Sequence, residues 1–223
     1  MAVKNIAKKR VFRGRAAQNN SIVSRSARTS RKDRKQRGSW GIEESDFLTP
    51  KELERLFAAI SSLRDRAIFR LAFCKALRAS EVGLLQLADY NRHDNTVRVR
   101  RLKGSMHGEF PLYTREAASL RAYLRERGTA PGPLFLSRHG RGISRRQLDR
   151  LMKHYGAIAG LPPEKCHMHV LKHTRGTHLH DAGESVVMIQ HELGHRDIRN
   201  TLVYTHASPA AAEAMFKRLR DRW

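Results

Sequence analysis

Six side chains of this sequence are of types that act on phosphate esters: Arg78, Lys103, His169, Lys172, His195 and Tyr204. Each sits near the end of an expected element, not in the middle of an exposed helix face. A guanidinium, ammonium or imidazole fixed near a phosphate offsets the charge that builds on its oxygens during displacement. A phenol is a modest nucleophile near neutral pH and must lose its proton to attack. Taken singly, each residue has a plainer role. A tyrosine beside Leu202 and Val203 is ordinarily core or interface, a lysine in a turn is ordinarily a solvated tip, and Arg78 could simply balance charge. Eight histidines also fall between positions 167 and 206, with His169 and His173 spaced to grip zinc from one helix face. No Cys-x-x-Cys or His-Glu-x-x-His word accompanies them, so no metal or other cofactor is expected.

The elements that must position these residues are mostly helical. Thr49-Pro50-Lys51-Glu52 is a capping box with proline at the first helical position, and it leads into Leu53, Leu56, Phe57 and Ile60. Residues 64–76 repeat apolar positions at helical spacing, and Ser80 is expected to cap a helix through Val82, Leu84 and Leu85. The period then changes. Thr96-Val97-Arg98-Val99-Arg100 alternates, residues 103–108 read as a turn with Lys103 at its tip, and Phe110-Pro111-Leu112 returns as a strand. Helices are expected over 114–127, after the Ser144/Gln147 cap, and at about 170–182, 185–193, 197–204 and 209–222. The fold class is therefore mostly α with a small β-hairpin or sheet.

Charge narrows the partner. The chain has 223 residues, 44 Lys+Arg against 21 Asp+Glu, and a formal net charge of +23. A polyanion is the natural ligand. Residues 1–40 hold 13 of the basic residues and one acid, Asp33, so over half of the net charge lies on less than a fifth of the chain. They lack apolar periodicity and read as a basic arm that neutralises phosphates; an organellar transit peptide is the competing reading, against which Ile6, Val11, Phe12, Ile22 and Val23 form no amphipathic face. Apolar residues at 40% suffice for a core, and two cysteines make no disulfide framework. Neither membrane insertion nor secretion is expected, and a reducing cytoplasm is.

The order of short words around the six residues changes their meaning. Leu77-Arg78-Ala79-Ser80-Glu81-Val82 resembles the Arg-x-Ser-Glu word of the tyrosine recombinases, the phage-integrase family. His169-Val170-Leu171-Lys172-His173-Thr174 resembles that family's His-x-x-Arg-His block, followed in register by Thr177-His178-Leu179 and Ala182-Gly183. Leu193-Gly194-His195 and Thr201-Leu202-Val203-Tyr204-Thr205-His206 resemble its Leu-Gly-His and terminal tyrosine words, and Lys103-Gly104 stands where it carries a hairpin lysine. The likeness runs from about residue 46 to 206. The shortness of the chain is similar to the small recombinases that invert fimbrial switches.

That resemblance implies a tyrosine-recombinase (DNA breaking-rejoining) catalytic domain over 46–206; charge and apolar pattern add the expectation of a basic, flexible DNA-binding arm over 1–45 and a C-terminal helix over 207–223. The resemblance also implies transesterification of DNA: Tyr204 attacks the scissile phosphorus and leaves a 3′-phosphotyrosyl link and a free 5′-hydroxyl. Arg78, with its planar fork, and His195 would hold the phosphate, a preorganised donor of this kind contributing about 3–4 kcal/mol. Lys103 would protonate the leaving oxygen, His169 would serve as base or relay near the phenol, and Glu81 would orient the cluster. The partners implied are double-stranded DNA and further copies of the chain (a dimer per site, a tetrameric synapse), with DNA-bending accessory proteins, at the nucleoid of a prokaryote or in its phage or mobile element.

One position departs from the family. Lys172 stands where the family has its second arginine, and an ammonium cannot form the bidentate fork. Lys172 could contact a single oxygen, Arg175 three positions on could substitute, or the enzyme could be slow or need a partner. Competing functions are a metal enzyme, a non-catalytic basic DNA-binding or architectural protein with a vestigial site, and a type IB topoisomerase, which shares the chemistry. The feature expected to separate the last is the tail, where Ala211, Ala212, Met215, Phe216 and Leu219 form an apolar side. That side docks either on a neighbouring protomer or on its own domain.

Overall fold

A computed structural model of the chain describes Glu43, residues 46–102 and 105–205, and Lys217 and Arg220. Lys103, the arm (1–45, apart from Glu43) and nearly all of the tail therefore lie outside the described residues. The elements are α1 (Pro50–Ala59), α2 (Leu63–Cys74), α3 (Ala79–Leu84), β1 (Tyr90–Asn91), β2 (Thr96–Val99), β3 (Gly108–Pro111), α4 (Thr114–Arg127), α5 (Arg145–Ile158), α6 (His169–Asp181), α7 (Val186–Leu193) and α8 (Arg199–Leu202). Among the described residues no helix is long and apolar enough to cross a membrane.

The helix starts follow their caps. Thr49 accepts from the Glu52 N–H at 3.3 Å while Glu52 accepts from the Thr49 N–H at 2.8 Å, the reciprocal pair expected from the sequence. Ser144 and Gln147 do the same for α5. Ser80 is not the cap it was expected to be. Arg78 is the N-cap of α3, because the Glu81 carboxylate reaches back to the Arg78 N–H at 2.8 Å and starts the helix earlier. The hairpin is antiparallel with Thr96 opposite Pro111 and Val97 opposite Phe110, and β1 adds a third strand through Tyr90 opposite Val97. Two residues are too few to show a period, so that strand has no sequence signal. The helix expected over 197–204 is only one turn, Arg199–Leu202, preceded by Asp197, whose carboxylate accepts the Arg199 N–H at 2.9 Å.

The core gathers around α2, which packs against α4 and α6, while α1 and α3 pack on α5. Leu56, Ile60, Ile68, Phe69, Leu120, Leu134 and Leu148 are fully or almost fully buried; each such side chain contributes about 1.5–3 kcal/mol through burial. Helix α6 crosses this core. Thr174 accepts from the Leu48 N–H at 2.9 Å, and His178 Nε2 lies 2.9 Å from the Leu48 carbonyl, so the entry to α1 is fastened to α6. A smaller buried cluster of Ala76, Ile189, Leu193 and Tyr204 joins α7 to the end of α2 and to the segment after α8.

Candidate active site

The end of α2 is where the site begins. Helix α2 stops at Cys74, the chain turns through Ala76 at φ +48°, and Arg78 emerges as the cap of α3. Its guanidinium donates to Glu81 Oε1 at 2.9 Å and to Ser105 Oγ at 3.1 Å, and about a quarter of the side chain stays exposed. Glu81 is buried beneath it. Burial alone would raise the Glu81 pKa, but the N–H groups of Arg78 and Leu102 and the charge of Arg101 outweigh it and hold the carboxyl below its usual range. Glu81 is thus an anionic strut that fixes the angle of the Arg78 fork.

Two clefts open on either side of Arg78. One, of about 690 Å³, is lined by Arg78, Ser105, His195 and residues 196–200; the other, of about 610 Å³, by Arg78, Arg145, Lys153, His167 and His169 among others. His195 follows Gly194, the left-handed cap that ends α7, and is buried with Nδ1 3.0 Å from Thr201 Oγ1. That bond fixes the ring. Burial and the neighbouring charges of Lys172, Arg78 and Arg101 push its pKa down to about 3, so the ring is neutral at pH 7. His169 opens α6 at the wall of the other cleft. Partial loss of hydration there, with His173 and Lys172 close by, lowers its pKa to about 4, although the ring keeps contact with solvent.

Lys172 and Arg175, one turn apart on α6, are placed differently. Lys172 is buried, and its ammonium donates to the Leu193 carbonyl at 2.6 Å, just under the turn that carries His195. Burial, with Arg101 and Arg78 nearby, lowers its pKa to about 7. Arg175 faces away from both clefts: it donates to Tyr113 Oη at 2.9 Å, pairs with Glu192 at 3.5 Å and stacks near Phe73. The expectation that Arg175 substitutes for a second arginine finds no geometry here, since its guanidinium is already engaged on the α4 side.

Tyr204 is 5% exposed, packed with Ala76, Ile189 and Leu193. Its hydroxyl lies 3.1 Å from His173 Nδ1, not against His169 as expected. The His169 and His173 rings meet edge to face at 4.5 Å between centroids, so the two imidazoles and the phenol form a short row. Gly176 makes room for the ring; a Cβ there would sit 2.6 Å from Tyr204 Cε1. Burial raises the phenol pKa above its ordinary value. In the sequence His173 belongs both to a possible zinc pair with His169 and to the family's His-x-x-Arg-His block, neither of which assigns it to the phenol. The i, i+4 spacing carried the signal that both rings share a face, but not which nitrogen meets the phenol. Among the described residues no three His, Cys, Asp or Glu side chains converge to hold a metal.

The chain is similar to known proteins over most of its length. The model of the phage integrase family matches residues 46–211. The type 1 fimbriae regulatory protein FimB of Escherichia coli (strain K12) is 32% identical over 185 residues, covering 79% of this chain and 92% of that protein. The tyrosine recombinase XerC of Pelobacter propionicus is 36% identical over 163 residues, 72% of this chain and 51% of its own length. Among solved structures, that of XerA recombinase superposes with a TM-score of 0.70 at 28% identity, covering 79% of this chain and 66% of that one. XerH bound to its difH substrate, at 23% identity and a TM-score of 0.65, shares the fold over 77% of this chain and 53% of its own.

Proposed function

The chain belongs to the phage integrase family and is a tyrosine-type site-specific recombinase, and from that premise we propose how its own side chains divide the reaction. The observation that carries the assignment is Arg78, which lines both clefts, with His195 in one and His169 in the other. A scissile phosphate bound across Arg78 would meet the guanidinium fork and the free edge of the His195 imidazole. Both would donate to non-bridging oxygens, where charge concentrates in the pentavalent transition state. Glu81, bonded to Arg78, keeps that fork from swinging. Lys172 contributes charge from beneath the Leu193 carbonyl without touching the substrate.

Tyr204 is the nucleophile of this scheme. Its O–P bond forms as the P–O5′ bond breaks. In its seat the phenol faces His173; once the ring reaches the phosphate, its proton passes to an imidazole of the His169/His173 pair, and the leaving 5′-oxygen takes a proton from Lys103. The phosphotyrosyl link keeps the energy of the broken phosphodiester, so a 5′-hydroxyl of another strand can reverse the step without a nucleotide. The tyrosine must first leave its packing, because a ring 5% exposed offers its oxygen to no phosphate. Double-stranded DNA as substrate fits the +23 charge. Pairs of protomers on half-sites, a four-copy synapse and strand exchange for integration, excision or inversion complete the reading by analogy with the family. A non-catalytic DNA-binding role has no support from the relatives, whose names include recombinases.

A suicide duplex, nicked so that the released strand diffuses away, tests the scheme. The unaltered chain should form a covalent protein–DNA adduct with a free 5′-hydroxyl. Tyr204→Phe should form none while binding the same duplex within about threefold, since only the attacking oxygen is removed. An adduct formed by Tyr204→Phe would sink the assignment.

A further inference from the structure

Arg101 lies just beyond β2 and its side chain has no exposed surface. It lines neither cleft beside Arg78. Its guanidinium donates to the carbonyls of Lys75 at 2.8 Å and Ala76 at 3.0 Å, where the chain leaves α2, and to that of Glu192 at 3.1 Å, in the last turn of α7. It also stands 3.5 Å from the Glu81 carboxylate. Its backbone N–H donates to His107 Nδ1 at 2.9 Å, which holds the start of the hairpin connection.

The turn after α7 is shaped around this side chain. Gly194 adopts φ +64°, and a Cβ there would fall 2.7 Å from Arg101 Nε. Across the same contact the Met106 N–H donates to the Gly194 carbonyl at 3.3 Å. One guanidinium therefore joins three segments. The first runs from Lys75 to Glu81 and carries Arg78. The second ends α7 and carries His195. The third is its own segment, which in sequence precedes Lys103 by two positions.

Carbonyls at helix ends lack partners within their helices and carry the negative end of the helix dipole. Two such ends and one carboxylate converge here. An arginine fork has five donors in one plane to serve them, where an ammonium on a flexible stem has three and no preferred plane. Resting on the recombinase reading above, we propose that Arg101 is a positioning residue of the reaction, which sets the separation between Arg78 and His195 without touching the substrate.

The test compares the unaltered chain, Arg101→Lys, Arg101→Gln and Tyr204→Phe on the suicide duplex in single turnover at saturating protein. DNA affinity is titrated separately, and folding is followed by near-UV circular dichroism. Lys keeps the charge, and Gln keeps N–H donors without burying a charge. Folded Arg101 variants should bind DNA within about threefold of the unaltered chain yet cleave about tenfold or more slowly at saturation, since a misplacement near 1 Å costs on the order of a hundredfold. Cleavage at the unaltered rate, or a defect confined to affinity, overturns the proposal. Loss of the native fold in both variants assigns Arg101 to stability alone and also overturns it. Absence of adduct with the unaltered chain removes the recombinase reading and this one with it, whereas the other outcomes leave that reading standing.

Discussion

At the scale of single residues, a lysine and not an arginine at position 172 has a chemical consequence. An arginine stays charged at every pH a protein survives, but this buried lysine loses its proton as pH rises through about 7. Above that pH the site has one positive charge fewer beneath His195. A bound phosphate favours the charged form and moves the midpoint upward, so the loss is expected on the alkaline side of neutrality. Single-turnover cleavage at saturating DNA should fall by about tenfold or less between pH 7 and 9.5, as one electrostatic interaction weakens. Lys172→Arg should flatten that fall; an unchanged alkaline limb would show that Lys172 does not set it. The words around Arg78, His169, His195 and Tyr204 made these side chains legible as a set. Which imidazole meets the phenol was not legible, because His169 and His173 share a helix face. Nor was the role of Arg101: continued alternation puts it on the buried face of Val97 and Val99, but nothing local to it names the carbonyls that satisfy a buried guanidinium.

At the scale of elements, the caps at Thr49 and Ser144 were readable because a side chain three residues on completes each of them locally. The start of α3 was not, because Glu81 serves the Arg78 backbone and side chain together and overrides the serine between them. The packing of α6 against the segment after α8 depends on Gly176. Gly176→Ala would drive a methyl into the Tyr204 ring, and overpacking of this kind costs about 1–3 kcal/mol. The variant should melt at a lower temperature, and Tyr204 should be nitrated faster than in the unaltered chain, as read by mass spectrometry of the peptide. Equal nitration rates would mean that the helix yields instead of the ring.

At the scale of the whole molecule, the net charge is concentrated toward one end of the sequence. Over half of the net +23 lies in residues 1–40. We expect a chain lacking residues 1–45 to bind duplex DNA more weakly and to show a shallower dependence of log K on log salt, by about 0.9 for each phosphate that the arm neutralises. A truncated chain with the same slope would refute the arm's role. The coarse class, helices with one small sheet, followed from period and punctuation along the chain. The arrangement of three segments around one guanidinium could not, since nothing local to any of them encodes it. The seat of Tyr204 between Gly176 and His173 carries a last implication. Under the proposed scheme, DNA bound to the chain in this state meets no nucleophile, and strand scission requires the ring to be drawn from that seat.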